Sequence, residues 1–472
     1  MKSLATALAC SALAACSLMP RYSPPPNPAP AAYKDYGAWE PAAPSDQRPR
    51  GDWWRAYDQA ELDQLEQDLD RSNPDLATAV ARYQQASALA TEARAALWPT
   101  VNAVGLDNFD RQSDNRPLRS ASQPAKYRDE LVGGGASYEL DLWGRVRSAA
   151  AAGVASAQAA AADLESVRLL LHAELANDYI ALRGEEAQQG LLQDTVAAYT
   201  RALEMTTNRH NGGIASALDV ARAQTQLDTA RAELTDTTAA RALYEHALAA
   251  LAGKPAPAFT LQPAAAELTL PQVPVGLPAT LLQRRPDVAA AERRMAAYNA
   301  GIGVTRAAFF PRLSLSAIAG FESTAGPGLL TAPNRFWAVG PQGFLTLFDA
   351  GYRSAAVAAA RAQFDEAAGQ YRSTVLTAFR DVEDALALSQ LLHQELAQRE
   401  AARAAAEHAL ALALNRYREG AVNYLEVVIA QVAALDAQRN ALVIRTRELQ
   451  ASVLLVRAVG GGFESAWPVA GG

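Results

Sequence analysis

Residues 306–323 read Arg306-Ala307-Ala308-Phe309-Phe310-Pro311-Arg312-Leu313-Ser314-Leu315-Ser316-Ala317-Ile318-Ala319-Gly320-Phe321-Glu322-Ser323. A run of helix-compatible residues stops at Pro311, whose ring cannot continue a helix and which lacks a backbone donor. Beyond it Leu313, Leu315, Ala317, Ala319 and Phe321 alternate with Ser314, Ser316 and Glu322, broken by Ile318. Period two with one polar face predicts a strand. The same wording occurs 212 residues earlier, as Arg94-Ala95-Ala96-Leu97-Trp98-Pro99, again followed by a strand-like run.

Four further matches keep the same order. Asn73-Pro74-Asp75-Leu76 corresponds to Arg285-Pro286-Asp287-Val288, and Asp141-Leu142-Trp143-Gly144 to Phe348-Asp349-Ala350-Gly351. Asn208-Arg209-His210-Asn211-Gly212 corresponds to Asn415-Arg416-Tyr417-Arg418-Glu419-Gly420, and Leu218-Asp219-Val220 to Leu425-Glu426-Val427. Offsets between 207 and 212 predict a duplicated half-molecule, with a period far longer than that of solenoid repeats.

Each half reads helix, strand, strand, helix, helix. The short helices are expected at 74–98 and 286–310, starting at Pro, which the first helical turn tolerates. Strands are expected at 100–112, 127–142, 312–323 and 335–348. Long helices should span 144–210 and 350–418, ending at the glycines 212–213 and 420, and returning helices 214–252 and 421–459. Stretches 125–254 and 342–467 contain no proline, which permits helices of this length. A 67-residue helix is about 100 Å long. The short and returning helices together nearly equal that length, so they can meet end to end along it. Leu175, Leu182, Val196 and Leu203 keep a sevenfold spacing interrupted by Gln189, and Val428, Leu435, Leu442, Leu449 and Val456 keep it unbroken, a coiled-coil seam.

Strands of ten or more residues are long enough to cross a bilayer when tilted. Four of them cannot close a barrel, and open edges are not tolerated in lipid. Closure therefore needs strands from other copies, and even strand numbers from eight upward leave two, three or four copies open.

The chain has 472 residues with 43 Lys plus Arg against 50 Asp plus Glu, a net charge of −7. A mildly acidic chain with no basic block argues against nucleic acid as the main partner. The two cysteines, Cys10 and Cys16, both lie in the first sixteen residues, which removes internal disulfides and Cys-based zinc sites from the mature chain. Met1-Lys2 followed by a short apolar run reads as an export signal over 1–15. It ends in Leu13-Ala14-Ala15-Cys16, which resembles the bacterial lipobox and makes Cys16 the lipid-attachment residue. Ser17 stands where an Asp would retain the lipoprotein at the inner membrane, so the resemblance points to the outer membrane. Nine of the 25 prolines lie in 20–49, an extended arm, and six in 255–278, a connector. The expected organisation is a signal at 1–15, a lipid anchor and arm at 16–58, and a first repeat at 59–254. A connector at 255–278, a second repeat at 279–459 and a tail at 460–472 follow.

With Trp53-Trp54, Leu140-Asp141-Leu142-Trp143-Gly144, Arg284-Arg285-Pro286-Asp287, Ala308-Phe309-Phe310-Pro311, Leu347-Phe348-Asp349-Ala350-Gly351 and Asn415-Arg416-Tyr417, the chain resembles the TolC-like outer-membrane efflux proteins. The likeness is to the OprM/NodT-type lipoprotein branch and covers about 50 to 460. It implies an α+β membrane protein, a homotrimer whose twelve strands, four per chain, form one β-barrel continued by a periplasmic α-helical barrel. It implies a periplasmic adaptor and an inner-membrane pump of the RND type as partners, a lipid anchor on the periplasmic side of a Gram-negative outer membrane, and passive conduction of drugs or other small toxic compounds. It also implies a pore narrowed at the helix turns. In this chain the matching positions are Leu425 as an apolar ring and Glu426 as an acidic ring, with Asp219 and Arg222 at the first repeat's turn. Ile429 stands where the family places a second acidic residue. Leu425 also suits a coiled-coil core, and Glu426 a solvated face.

No cofactor, metal site or catalysis is expected. His172, His210, His246, His393 and His408 form no HExxH, and there is neither a GxSxG nor a phosphate-binding GxxxxGK[ST]. Gly133-Gly134-Gly135 falls on a strand, where close packing or a kink accounts for it. The alternatives are a type I protein-secretion channel on the same fold, which usually lacks the lipobox, and a non-conducting structural lipoprotein, against which the two strand pairs speak.

Overall fold

The computed structural model describes residues 17–24, 51–115, 124–264, 268–271, 285–324 and 328–461. Cys16, the signal segment, the arm beyond residue 24, much of the connector and the tail beyond 461 lie outside the described residues. Among the described residues the elements are α1 (Ala60–Ser72), α2 (Pro74–Ala95), β1 (Thr100–Arg111), β2 (Lys126–Leu140), α3 (Arg145–Asn211) and α4 (Ala217–Leu251). They continue as α5 (Pro286–Ala307), β3 (Arg312–Ser323), β4 (Arg335–Phe344), α6 (Tyr352–Arg418) and α7 (Tyr424–Ala458), with a 3-10 turn at Trp53–Tyr57. The helix pairs α2/α5, α3/α6 and α4/α7 have equal lengths of 22, 67 and 35 residues.

Two compact units each draw on both halves of the chain. The first comprises 1–26, 82–161 and 290–372, and the second 27–81, 162–289 and 373–472.

The first unit holds one antiparallel sheet in the order β1-β2-β3-β4. Its register builds two unlike faces. Ala136 pairs with Val101 and Ala317, Tyr138 with Leu315, and Leu140 with Leu313. Ala317 and Ala319 in turn face Val339 and Trp337, so this side is apolar over the part nearest the helices, and farther out it carries Asp107 opposite Glu130, with Arg128 donating to Asp107. The other side carries Ser137 opposite Ser316, Glu139 opposite Ser314, and Ser314 opposite Gln342. Because the side-chain period is two, this register is strongly specified once one face is apolar. Gly133 and Gly320 pair directly, and a Cβ on Gly133 would meet the Ala319 carbonyl oxygen at 2.7 Å. The glycine run therefore serves close strand approach. β1 and β4 leave unpaired outer edges.

β4 stops at Phe344, short of the expected 348, because the next residues form a helix cap instead. The Asp349 carboxylate accepts from the Gly351 and Arg353 amides, with Ala350 and Gly351 at positive φ. Asp141 likewise accepts from the Val146 and Arg147 amides at the start of α3. The two matched aspartates thus terminate strands and satisfy the free amides of the long helices. Trp143 donates from Nε1 to the Pro311 carbonyl at 2.8 Å and stacks on Phe310.

The arm residues 17–24 run antiparallel to α5. Tyr22 donates to Glu292 at 2.6 Å, Asn299 donates to the Pro20 carbonyl at 2.9 Å, and Arg306 to that of Leu18 at 3.5 Å. Gly303 admits the arm, since a Cβ there would meet Met19 Cα at 2.9 Å.

The second unit has a core of Trp53, Trp54, Tyr57, Leu62, Leu69, Leu175, Tyr179, Ile180, Leu182, Leu449 and Val456, so part of the predicted seam is buried within a single chain. Asn73 accepts from the Asp75 and Leu76 amides at 2.9 Å each and donates to the Leu251 carbonyl at 2.9 Å. Its counterpart Arg285 donates to the Ala458 carbonyl at 3.2 Å and pairs with Asp287 and Asp381. In both cases the start of the short helix is tied to the last turn of the returning helix, the end-to-end meeting expected from length. Beside this core His172 lies 2.5 Å from Glu66 and stacks on Trp54. Burial disfavours a charged imidazole, but the hydrogen bonds and charges of Asp70 and Glu66 outweigh it and raise His172 above its ordinary range. Among the described helices, α7 alone is long and apolar enough to cross a membrane. It buries Val427, Ile444, Val453, Leu455 and Val456 in the protein, while Leu425, Ile429, Val432 and Val443 stay exposed in the single chain.

Candidate functional site: the two helical turns

The second unit contains both turns that join a long helix to its returning helix. The first closes with Gly213 at φ +77°, its amide donating to the His210 carbonyl at 2.8 Å while Ile214 donates to that of Arg209 at 2.8 Å. The second closes with Gly420 at φ +76°, its amide donating to the Tyr417 carbonyl at 3.0 Å while Ala421 donates to that of Arg416 at 2.9 Å. Both are left-handed helix caps, where glycine avoids the Cβ penalty.

The helices that follow start differently. At the first turn Ser216 Oγ accepts from the Asp219 amide, and Asp219 Oδ2 accepts from the Ser216 amide at 3.2 Å and from its hydroxyl at 2.8 Å. This reciprocal box satisfies two otherwise free donors. Asp219 also lies 3.7 Å from Arg222, one helical turn on. At the second turn Asn423 caps alone, accepting from the Glu426 amide at 3.3 Å. The Glu426 carboxylate instead faces Arg416 across the turn at 3.8 Å, with both side chains half-exposed.

A small aromatic cluster underlies the second turn. Tyr424 is 2% exposed and packs against Tyr417 with ring centroids 5.4 Å apart, beside Ala223 and Val427. Burial pushes the Tyr424 hydroxyl up to about 12. Arg209 stacks over the Tyr417 ring at 4.6 Å and donates to its carbonyl at 3.2 Å, linking the two turns. Leu425 is 38% exposed in the single chain, outside that cluster, and Leu218 and Ile429 are exposed as well. The structure thus brings Asp219 and Arg222 together on one helix and Leu425 beside Glu426 on another. It adds contacts of Arg416, Arg209, Tyr417 and Tyr424, of which Arg416 and Tyr417 stand out in the sequence as part of a motif but without a role at the turn. The constant offset linking Arg209 to Arg416 was the signal available for the two arginines.

The family model for outer membrane efflux protein matches residues 65–254 and 277–461. The chain belongs to the outer membrane efflux protein family. It is 34% identical over 464 residues to the toluene efflux pump outer membrane protein TtgF of Pseudomonas putida, covering 96% of this chain and 95% of that protein. It is also 34% identical over 487 residues to the pyoverdine export outer membrane protein OpmQ of Pseudomonas aeruginosa, covering 98% of each. The solved open state of the MtrE outer membrane channel of Neisseria gonorrhoeae superimposes with a TM-score of 0.80 at 28% identity, covering 95% of this chain and 98% of that one. This efflux protein is accordingly an outer-membrane channel component of an efflux system, with the four-stranded sheet and long helices of the TolC-like fold.

Proposed function

We propose that three copies of this efflux protein close a twelve-stranded barrel in the outer membrane and continue it as a helical conduit, through which an inner-membrane pump expels small toxic compounds. The observation that carries this reading is the sheet. Over the part of the sheet nearest the helices one face is apolar on all four strands and the other carries Ser137, Glu139, Ser314, Ser316 and Gln342, and among the described residues the outer edges of β1 and β4 have no strand beside them. An apolar face suits lipid and a polar face suits a water-filled lumen. Unpaired edges are excluded from lipid, so the strands of other copies supply the missing partners. The family resemblance supports three copies.

The protein conducts passively in this reading. A periplasmic adaptor and an RND-type pump supply the energy, and the duplicated half-molecule supplies two helix turns per copy at the periplasmic entrance. Cys16 carries a lipid that adds a second anchor. TtgF and OpmQ carry toluene and pyoverdine in their names at equal identity to this chain, which favours cargo selection by the pump rather than by the channel. Leu425 lines the resting entrance, and the Glu426–Arg416 pair latches it.

Crosslinking of the purified protein in detergent tests the assembly. A dominant three-chain species is expected, and a stable folded monomer contradicts the closure argument. Mass spectrometry should find an acylated N-terminal peptide beginning at Cys16, and a free thiol there removes the anchor from the account.

A further inference from the structure

At the helix-side end of the sheet, an open groove of about 390 Å³ lies between the end of α5 and the start of α6. Arg306 and Arg361 line it together with Leu18, Phe309, Phe310 and Val357. Among the described residues, no carboxylate lies within ion-pair distance of either arginine. The neighbouring Arg353 differs, since Asp349 holds it at 2.5 Å. Phe309 and Phe310 are 46% and 39% exposed in the single chain, and Trp98, Phe348 and Tyr352 around the same strand ends are exposed too. Exposed aromatics at strand ends are the girdle by which a barrel marks the water–lipid interface.

We propose that this groove binds the phosphate of an anionic glycerophospholipid from the periplasmic leaflet, with an acyl chain lying over Phe309 and Phe310. Guanidinium groups engage phosphate oxygens through paired N–H donors, and basic pockets beside membrane segments hold anionic headgroups. The volume falls within the ~300–1,000 Å³ of small-molecule sites. Charge complementarity selects this occupant over the chain's own lipid. Cys16 lies two residues before Leu18, but a diacylglycerol thioether carries no phosphate and offers the arginines nothing. The proposal rests on the outer-membrane placement and is independent of cargo, adaptor and gate.

Native mass spectrometry of the full-length protein released from phosphatidylcholine nanodiscs containing a minor fraction of phosphatidylglycerol tests it. Phosphatidylglycerol should be retained in preference to phosphatidylcholine. Arg306→Gln/Arg361→Gln should lower that retention about tenfold or more, given the strength of charged hydrogen bonds. Arg361→Gln alone, at an exposed residue with no partner to lose among the described residues, should lower it without touching the arm contact that Arg306 makes with Leu18. Arg399→Gln/Arg403→Gln, which removes the same charge elsewhere on α6, should leave retention unchanged. Equal retention of both lipids, or of phosphatidylglycerol by parent and Arg361→Gln, overturns the proposal. Displacement of phosphatidylglycerol by inorganic phosphate alone would reduce the site to a simple anion site. A gain of phosphatidylglycerol in Cys16→Ala would assign the groove to the chain's own lipid; either result also overturns the proposal.

Discussion

The two helical turns share a glycine cap at equivalent positions and diverge within the next six residues. At the first, Ser216 and Asp219 satisfy each other, and the acidic side chain is absorbed into the backbone of the turn. At the second, Asn423 performs the cap alone and Glu426 is left to face Arg416. The equivalents of Tyr417 and Tyr424 in the first turn are His210 and Ala217, so only the second turn has an aromatic floor. One carboxylate is thereby structural and the other available for a reversible contact. In the proposed reading the first turn is a fixed wall and the second a latch.

The largest effect is expected from removing the floor. Tyr424→Ala gives the second turn the residue that the first already has, and truncating a buried aromatic costs about 3–5 kcal/mol. Hydrogen exchange should accelerate sharply across 415–428 and change little across 208–222. Equal acceleration at both turns would dissolve the comparison.

Alkaline pH probes the same asymmetry. The folded-state value of Tyr424, pushed to about 12, lies above its ordinary 10. The buried hydroxyl thus contributes stability that is fully present below pH 10 and is lost as pH rises through 12. The second turn should loosen before the first over that window, and Tyr424→Phe should abolish the difference. Identical alkaline behaviour of parent and Tyr424→Phe would show that another group controls the turn.

Capping comes next in size. Asp219→Ala should destabilise the first turn by about 1 kcal/mol, the usual worth of an N-cap interaction. Glu426→Ala should cost less than about 1 kcal/mol, because an exposed ion pair contributes little. Local exchange rates at each turn measure both, and a reversed order would make Glu426 the structural residue. The smallest thermodynamic change is expected for Glu426→Gln, which should nevertheless lower the cation preference of reconstituted channels. Unchanged selectivity would place Glu426 outside the conduction path.

Most of the backbone was legible because its signals are local. Proline punctuation, alternation in 312–323 and glycine caps each involve neighbours in sequence, and their duplication lets one half check the other. The matched Asp141 and Asp349 were visible as a pair, but their role in capping the long helices was not. It depends on each carboxylate folding back onto amides several residues ahead, and it ends β4 at Phe344. Among the turn residues, Leu425, Glu426, Asp219 and Arg222 were legible by position. Arg416 and the Tyr417–Tyr424 floor were not, because their partners meet only after the chain reverses. The groove at Arg306 and Arg361 was equally hidden, since 55 residues separate two arginines that line one cavity.

Single-channel recording in planar bilayers tests the central claim most directly. The purified protein should insert as pores whose current scales with bath salt and needs no energy source, and Leu425→Ala should raise the resting conductance. A bilayer that stays silent with both folded proteins would contradict a conduit. Equal resting conductance of parent and Leu425→Ala would move the constriction away from the second turn.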